Sequence, residues 1–197
     1  MIVFFWVYLL VAILVKIKVG SPIIFCQERP GKIDPKTGKE TIFRLFKFRS
    51  MTNECDPAGN LLPDFQRVTK FGRFLRSSSL DELPEAWNVL KGDMSWIGPR
   101  PWLTSYLPFY SEQEHRRHLV RPGLTGLAQV NGRNTLTWKD RFDKDIEYVD
   151  HLSFILDVKI VCMTIKKVFC REGIEFQKNE TIMEYFEKRD KNKSGLE

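Results

Sequence analysis

Residues 76–101 read RSSSLDELPEAWNVLKGDMSWIGPRP. Three serines followed by the adjacent carboxylates Asp81 and Glu82 mark a helix start, and Pro84 fits there because its missing N–H is harmless only in a first turn. Leu80, Leu83, Trp87 and Leu90 then share one side of the helix, and Lys91 and Gly92 end it. From Asp93 to Pro108 the chain carries Gly, Ser and three prolines and reads mostly as loop, while a short helix over Gln66 to Arg76 precedes the serines. The carboxylate pair has two readings. Asp is a preferred N-cap, and acidic residues in a first turn favour the helix dipole. Alternatively, helix-terminal N–H groups and Arg76, five residues before Asp81, form a positive locus for phosphate, in which an ionised carboxylate serves as nucleophile or metal ligand.

Upstream, Ile23 to Gln27 and Thr41 to Arg49 read as two strands flanking a turn-rich stretch at residues 34–39. Period-2 geometry puts Lys47 and Arg49 on one face, where two cations could receive a diphosphate or a lipid headgroup, or simply line a solvated edge strand. Downstream, Ser111 and Glu114 have the spacing of a capping box, which accounts for part of the run from Glu114 to His118 without any metal role for its two histidines. Residues 122–134 form a second Gly-rich stretch. Val158, Val161, Cys162, Ile165, Val168 and Phe169 follow helical spacing with Lys159, Lys166 and Lys167 opposite, so this helix lies against the core or on a membrane surface. The fold class is α+β, mainly helical with a small β-hairpin.

The chain has 197 residues, 43% of them hydrophobic and 28% charged, which fits one globular domain and excludes a collagen-like, disulfide-scaffold or wholly disordered chain. Its first 15 residues carry no charge; residues 16–49 hold nine basic against three acidic side chains, and the rest balances at 22 against 22. An apolar run abutting a basic run is the pattern of an anchor beside an anionic leaflet, so membrane lipid explains the +6 surplus better than nucleic acid. A helix of that length rises about 22 Å against a hydrocarbon core of roughly 30 Å, too short to span unaided. A buried core helix is the competing reading; Trp6, Tyr8 and the lysines that follow favour partial insertion. The four cysteines lack disulfide or zinc spacing and read as reduced and cytoplasmic. Three segments result: a membrane-associated helix at 1–18, a catalytic domain at 19–186, and a charged, disordered tail at 187–197.

Four stretches in order, FKFRSM at 46–51, LDELP at 80–84, NVLKGDMSWIGPRP at 88–101 and RPGLTGLAQVNGR at 121–133, resemble the bacterial sugar transferase family, the monotopic polyprenyl-phosphate phosphoglycosyl transferases. The resemblance implies an enzyme at the cytoplasmic face of the bacterial inner membrane that moves a sugar 1-phosphate from a UDP-sugar onto undecaprenyl phosphate and releases UMP. It implies Asp81 as the nucleophile of a covalent phosphosugar intermediate, with Glu82 in general base chemistry or in a Mg²⁺ site shared with Asp81. Arg100 and Arg133 would bind the nucleotide or its phosphates, while Arg76 and Lys47 would contact phosphate or hold the dyad in place. Arg suits such work because its planar fork grips phosphate at two points.

The family's N-terminal helix is re-entrant, broken near its middle by Ser-Pro. Here Ser21 and Pro22 follow the lysines and align with the start of the strand, so residues 1–18 correspond to the second half of that helix, with the first half upstream or the insertion shallower. Two competing functions fit the same residues: ordinary glycosyl transfer with release of UDP, and a non-catalytic membrane-surface module in which the Asp-Glu pair only caps a helix.

Overall fold

The computed structural model describes residues 2–132, 135–170 and 181–194. The chain divides into two compact units, residues 1–27 with 44–91 and residues 28–43 with 92–197, and is mainly helical with a two-stranded hairpin.

In the first unit, α1 (Ile2–Lys18) buries only a narrow stripe. Val11 and Val15, one turn apart, are 4% and 0% exposed and pack with Phe48 and Leu75, whereas Phe5, Trp6, Leu10, Ile13 and Ile17 face outward. No helix among the described residues is long and apolar enough to cross a membrane. Strands β1 (Ile24–Ile33) and β2 (Glu40–Phe48) pair, the base of the hairpin belonging to the first unit and its tip to the second. β1 runs six residues past its expected end at Gln27. Pro30 is no obstacle, because an edge strand can spare an N–H on its unpaired side.

The single helix expected over Gln66 to Arg76 is two. α2 (Asp64–Arg67) stops where Val68 turns extended and bridges Met51, and α3 (Lys70–Ser77) restarts on Thr69, whose hydroxyl accepts the Gly72 N–H at 2.8 Å. The helix expected from Asp81 is also divided, into a 3₁₀ turn at Leu80–Glu82 and α4 (Glu85–Lys91). Three residues per turn do not keep the α register. Leu80 and Leu83 therefore reach the core, while Trp87 and Leu90 are 59% and 74% exposed.

The second unit joins the stretch read as loop to the second Gly-rich one. β3 (Ser95–Ile97) pairs in parallel with a strand at Gly123–Thr125, with Ser95 opposite Gly123 and Ile97 opposite Thr125. The sequence GDMSWIGPRP did not show this strand because only three residues pair. Between these strands lies α5 (Glu112–His115), opened by the expected capping box of Ser111 and Glu114. After β4 (Gly123–Thr125) come α6 (Leu127–Asn131), α7 (Trp138–Asp150), α8 (Phe154–Cys170) and α9 (Ile182–Ser194). Leu127, Val130, Tyr148 and Ile160 form one core; Tyr110, Phe142, Ile182 and Phe186 form another. Residues 187–194, expected as disordered tail, continue α9, because Ile182 and Phe186 bury one face of it and Arg189 pairs with Glu114. Among the described cysteines, Cys26, Cys55 and Cys162 are free thiols.

Two features of these cores are measurable. A Cβ on Gly72 would lie 1.8 Å from the Ser50 carbonyl oxygen, so α3 passes directly over that backbone. Gly72→Ala, which in an open helix gains about 1 kcal/mol, should here lose about 2 kcal/mol or more in urea unfolding. His118 is 4% exposed and stacks on Tyr110. Burial and the neighbouring Arg117 charge push its pKa down to about 3. The imidazole is thus neutral in the fold, and as pH drops below about 6.5 only the unfolded chain takes the proton, so stability is lost on acidification. Between pH 7 and 5, wild type should lose about 2 kcal/mol more than His118→Gln in urea titrations.

Candidate active site

The turn that carries the dyad is built on an unusual backbone residue. Ser79, at φ 56° and ψ 17°, is the only described non-glycine with positive φ, and it holds the capping position ahead of Leu80–Glu82. Asp81 is therefore the second residue of the 3₁₀ turn, not its cap, and it is 8% exposed. A left-handed serine costs on the order of 1 kcal/mol, and such strain gathers at functional sites.

Lys47 reaches this turn from β2. Its Nζ lies 2.8 Å from Glu82 Oε1 and 3.0 Å from Glu85 Oε1, with the three side chains 18%, 11% and 3% exposed. Asn88, fully buried, fixes the approach: its amide donates to the Arg44 carbonyl at 2.7 Å and its Oδ1 accepts the Phe46 N–H at 3.1 Å. Of the dyad, Lys47 pairs with Glu82, and next to it with Glu85. Its expected neighbour on the same face, Arg49, is 7% exposed and donates to the carbonyls of Ser21 and Met51. That cation supports backbone. Arg76 donates to Ser50 Oγ at 2.9 Å and lies 2.7 Å from Met51 Sδ, bracing the chain just after β2.

Glu85 and Asn88 also belong to this group of residues, Glu85 outside the motif stretches and Asn88 at the head of the one over 88–101. Their spacing from Asp81, four and seven residues, was available; the break at Pro84 made a single helical face the wrong template. Arg100 belongs to the second unit, where its carbonyl accepts from Arg117 Nη2 at 2.6 Å. Arg133 lies outside the described residues.

Asp81, Glu82 and Glu85 bring carboxylate oxygens, the hard donors a divalent cation such as Mg²⁺ takes, to the 3₁₀ turn and the start of α4. Among the described residues no three His, Cys, Asp or Glu side chains form a ready-made metal cage. Mg²⁺ does not require one, since it commonly takes one or two carboxylates and completes its shell with water and substrate phosphate oxygens.

The sequence profile of the bacterial sugar transferases matches residues 1–171. The chain belongs to the bacterial sugar transferase family. This transferase is 54% identical over 172 residues to a Bacillus subtilis (strain 168) protein named uncharacterized sugar transferase EpsL, a match covering 87% of this chain and 82% of that one. It is 40% identical over 179 residues to the undecaprenyl-phosphate glucose phosphotransferase of Komagataeibacter xylinus, covering 83% of this chain and 32% of the relative. A third relative, the UDP-N-acetylgalactosamine-undecaprenyl-phosphate N-acetylgalactosaminephosphotransferase of Aeromonas hydrophila, is 37% identical over 174 residues, covering 82% of this chain and 39% of the other. The transferase thus spans between about a third and two fifths of the length of these last two proteins.

Removing the ammonium should expose the electrostatics of the turn. Lys47→Met leaves Glu82 and Glu85 facing each other in a largely buried setting and should lower stability by about 3 kcal/mol in urea unfolding. Adding Glu85→Gln to that variant should recover part of the loss.

Proposed function

We propose that this transferase moves a sugar 1-phosphate from a UDP-sugar onto undecaprenyl phosphate, with Asp81 as nucleophile. The observation that carries the reading is the buried Asp81 on a strained turn whose neighbouring carboxylates are held by Lys47; relatives named for undecaprenyl-phosphate substrates support it. An Asp81 carboxylate oxygen attacks the β-phosphorus of the donor, the bond to the bridging oxygen breaks, and UMP leaves with that oxygen. An oxygen of undecaprenyl phosphate then attacks the same phosphorus, and the bond to Asp81 breaks to restore the carboxylate. Two displacements at one phosphorus give ping-pong kinetics. Glu82 then serves by anchoring Lys47 and, with Asp81, by holding Mg²⁺, which when bound neutralises diphosphate charge. Arg100 and Arg133 take the nucleotide phosphates.

The same reading puts the protein on the cytoplasmic face of the bacterial inner membrane. α1 supports this with its outward Phe5, Trp6, Leu10, Ile13 and Ile17, followed by Lys16 and Lys18, and it would enter the bilayer partway as a re-entrant segment. α8 supports it separately: Phe154 and Ile155 are 82% and 81% exposed, Val158, Ile165 and Val168 are also outward, and Lys159 and Lys166 provide cations for an anionic leaflet.

The test is a panel of UDP-glucose, UDP-galactose and UDP-N-acetylgalactosamine with undecaprenyl phosphate, assayed for released nucleotide with Mg²⁺ and with EDTA. UMP should appear with at least one donor and only with the metal. Asp81→Asn should slow it by at least about a thousandfold, and without acceptor the wild-type protein should carry a phosphosugar adduct on Asp81. Release of UDP would make the reaction ordinary glycosyl transfer. Salt-sensitive binding to anionic vesicles without turnover of any donor would make the protein a surface module.

A further inference from the structure

We infer that Arg117, neutralised by Asp145, and Arg29 are positioning residues that lock the backbone of the Gly98–Pro101 turn so that Arg100 meets the donor's phosphates at a fixed point. The inference rests on the reading of Arg100 as a phosphate contact. Arg117 and Asp145 are each 2% exposed, joined from Nη2 at 2.7 Å and from Nε at 3.1 Å to one carboxylate oxygen. The rings of Trp102, Tyr110 and Phe142 surround the guanidinium, their centroids 5.6 to 6.0 Å from it. A buried pair of this kind gives a fold little that packed apolar residues would not, because desolvation offsets most of the attraction. What an apolar residue cannot do is hold a carbonyl. Arg117 Nη2 donates at 2.6 Å to the carbonyl of Arg100.

The neighbours of Arg100 are held in the same way from other parts of the unit. Arg29 Nη1, from β1, donates to the Pro101 carbonyl at 3.3 Å, and the Gly123 N–H, from the start of β4, donates to the Pro99 carbonyl at 3.0 Å. Three consecutive carbonyls therefore each accept from a different element, and the prolines on both sides of Arg100 fix φ there. Gly98 closes the arrangement, since a Cβ on it would lie 2.5 Å from the Arg121 carbonyl oxygen and bar the approach of the two segments. With the backbone set at residues 99–101, the side chain of Arg100 is what the arrangement aims. A planar guanidinium grips phosphate at two points only when its base is well placed, and an error of about 1 Å at such a contact can cost on the order of a hundredfold.

A double-mutant cycle on the full-length chain, with UDP and Mg²⁺ as the probe and Kd read by calorimetry, tests this. Arg100→Ala sets the scale and should weaken UDP by about tenfold or more. Arg117→Lys keeps a charge for Asp145 but cannot span the carboxylate and the Arg100 carbonyl together, and Arg29→Gln shortens the reach to Pro101 without touching the buried pair. Each should weaken UDP by roughly five- to tenfold in the wild-type background and not further in the Arg100→Ala background. Loss of the same size in both backgrounds, or no loss in wild type, would overturn the positioning role and leave Arg100 as a phosphate contact. Unchanged UDP affinity in Arg100→Ala would overturn that contact and the positioning role with it. Should Arg117→Lys fail to fold, Arg29→Gln decides the outcome by the same comparison.

Discussion

The ammonium of Lys47 is the constraint on which the first unit depends. Asp81, Glu82 and Glu85 fall within five residues of chain, and without a cation between two of them their repulsion would oppose the tight turn that brings them together. The lysine can do this because both its neighbours are fixed. Phe46 is pinned through its N–H by Asn88, and Phe48, 2% exposed, is locked in the core with Val11, Val15 and Leu75. The alternation of a strand then leaves Lys47 one direction to point. Packing of α1 and polar organisation of the dyad are thus linked through three successive residues of β2.

The second unit solves a comparable problem with carboxylates as hubs. Glu114 closes the capping box of α5, accepts from Tyr185 at 2.9 Å and pairs with Arg189, so one side chain ties the start of α5 to α9. Asp145 plays the same part for Arg117. Burial pushes the Asp145 carboxyl upward while Arg117 draws it back, and two nitrogens of that guanidinium donating to one carboxylate oxygen keep the pair together. In both cases the expense of burying a charge is met by several donors converging on it.

Much of this was legible where the signal is local. The capping box at Ser111 and Glu114, the turn between the strands and the long helix ending at Cys170 all follow from neighbouring residue types, and each is in the structure. Signals failed where a distant partner decided the outcome. Val68 leaves the helix to bridge Met51, three residues around Ser95 become a strand only because Gly123 lies beside them, and α9 persists because two apolar residues in a charged segment find a core. Glu85 and Asn88 were missed for the same reason, since their partners lie about forty residues upstream in β2.

By itself the sequence determined the class of the chain: an apolar start beside a basic stretch, and ordered motifs, one of them holding Asp81 and Glu82, that place it among the bacterial sugar transferases. These are legible because residue type and spacing along the chain carry them. Only the tertiary structure decided what each charge does. Lys47 and Arg49, equivalent on a strand diagram, part company because one meets two carboxylates and the other backbone carbonyls. Asp81 proves to lie inside a turn begun by a left-handed serine, and that too is a matter of burial and partners, which depend on segments far apart in sequence coming to lie side by side.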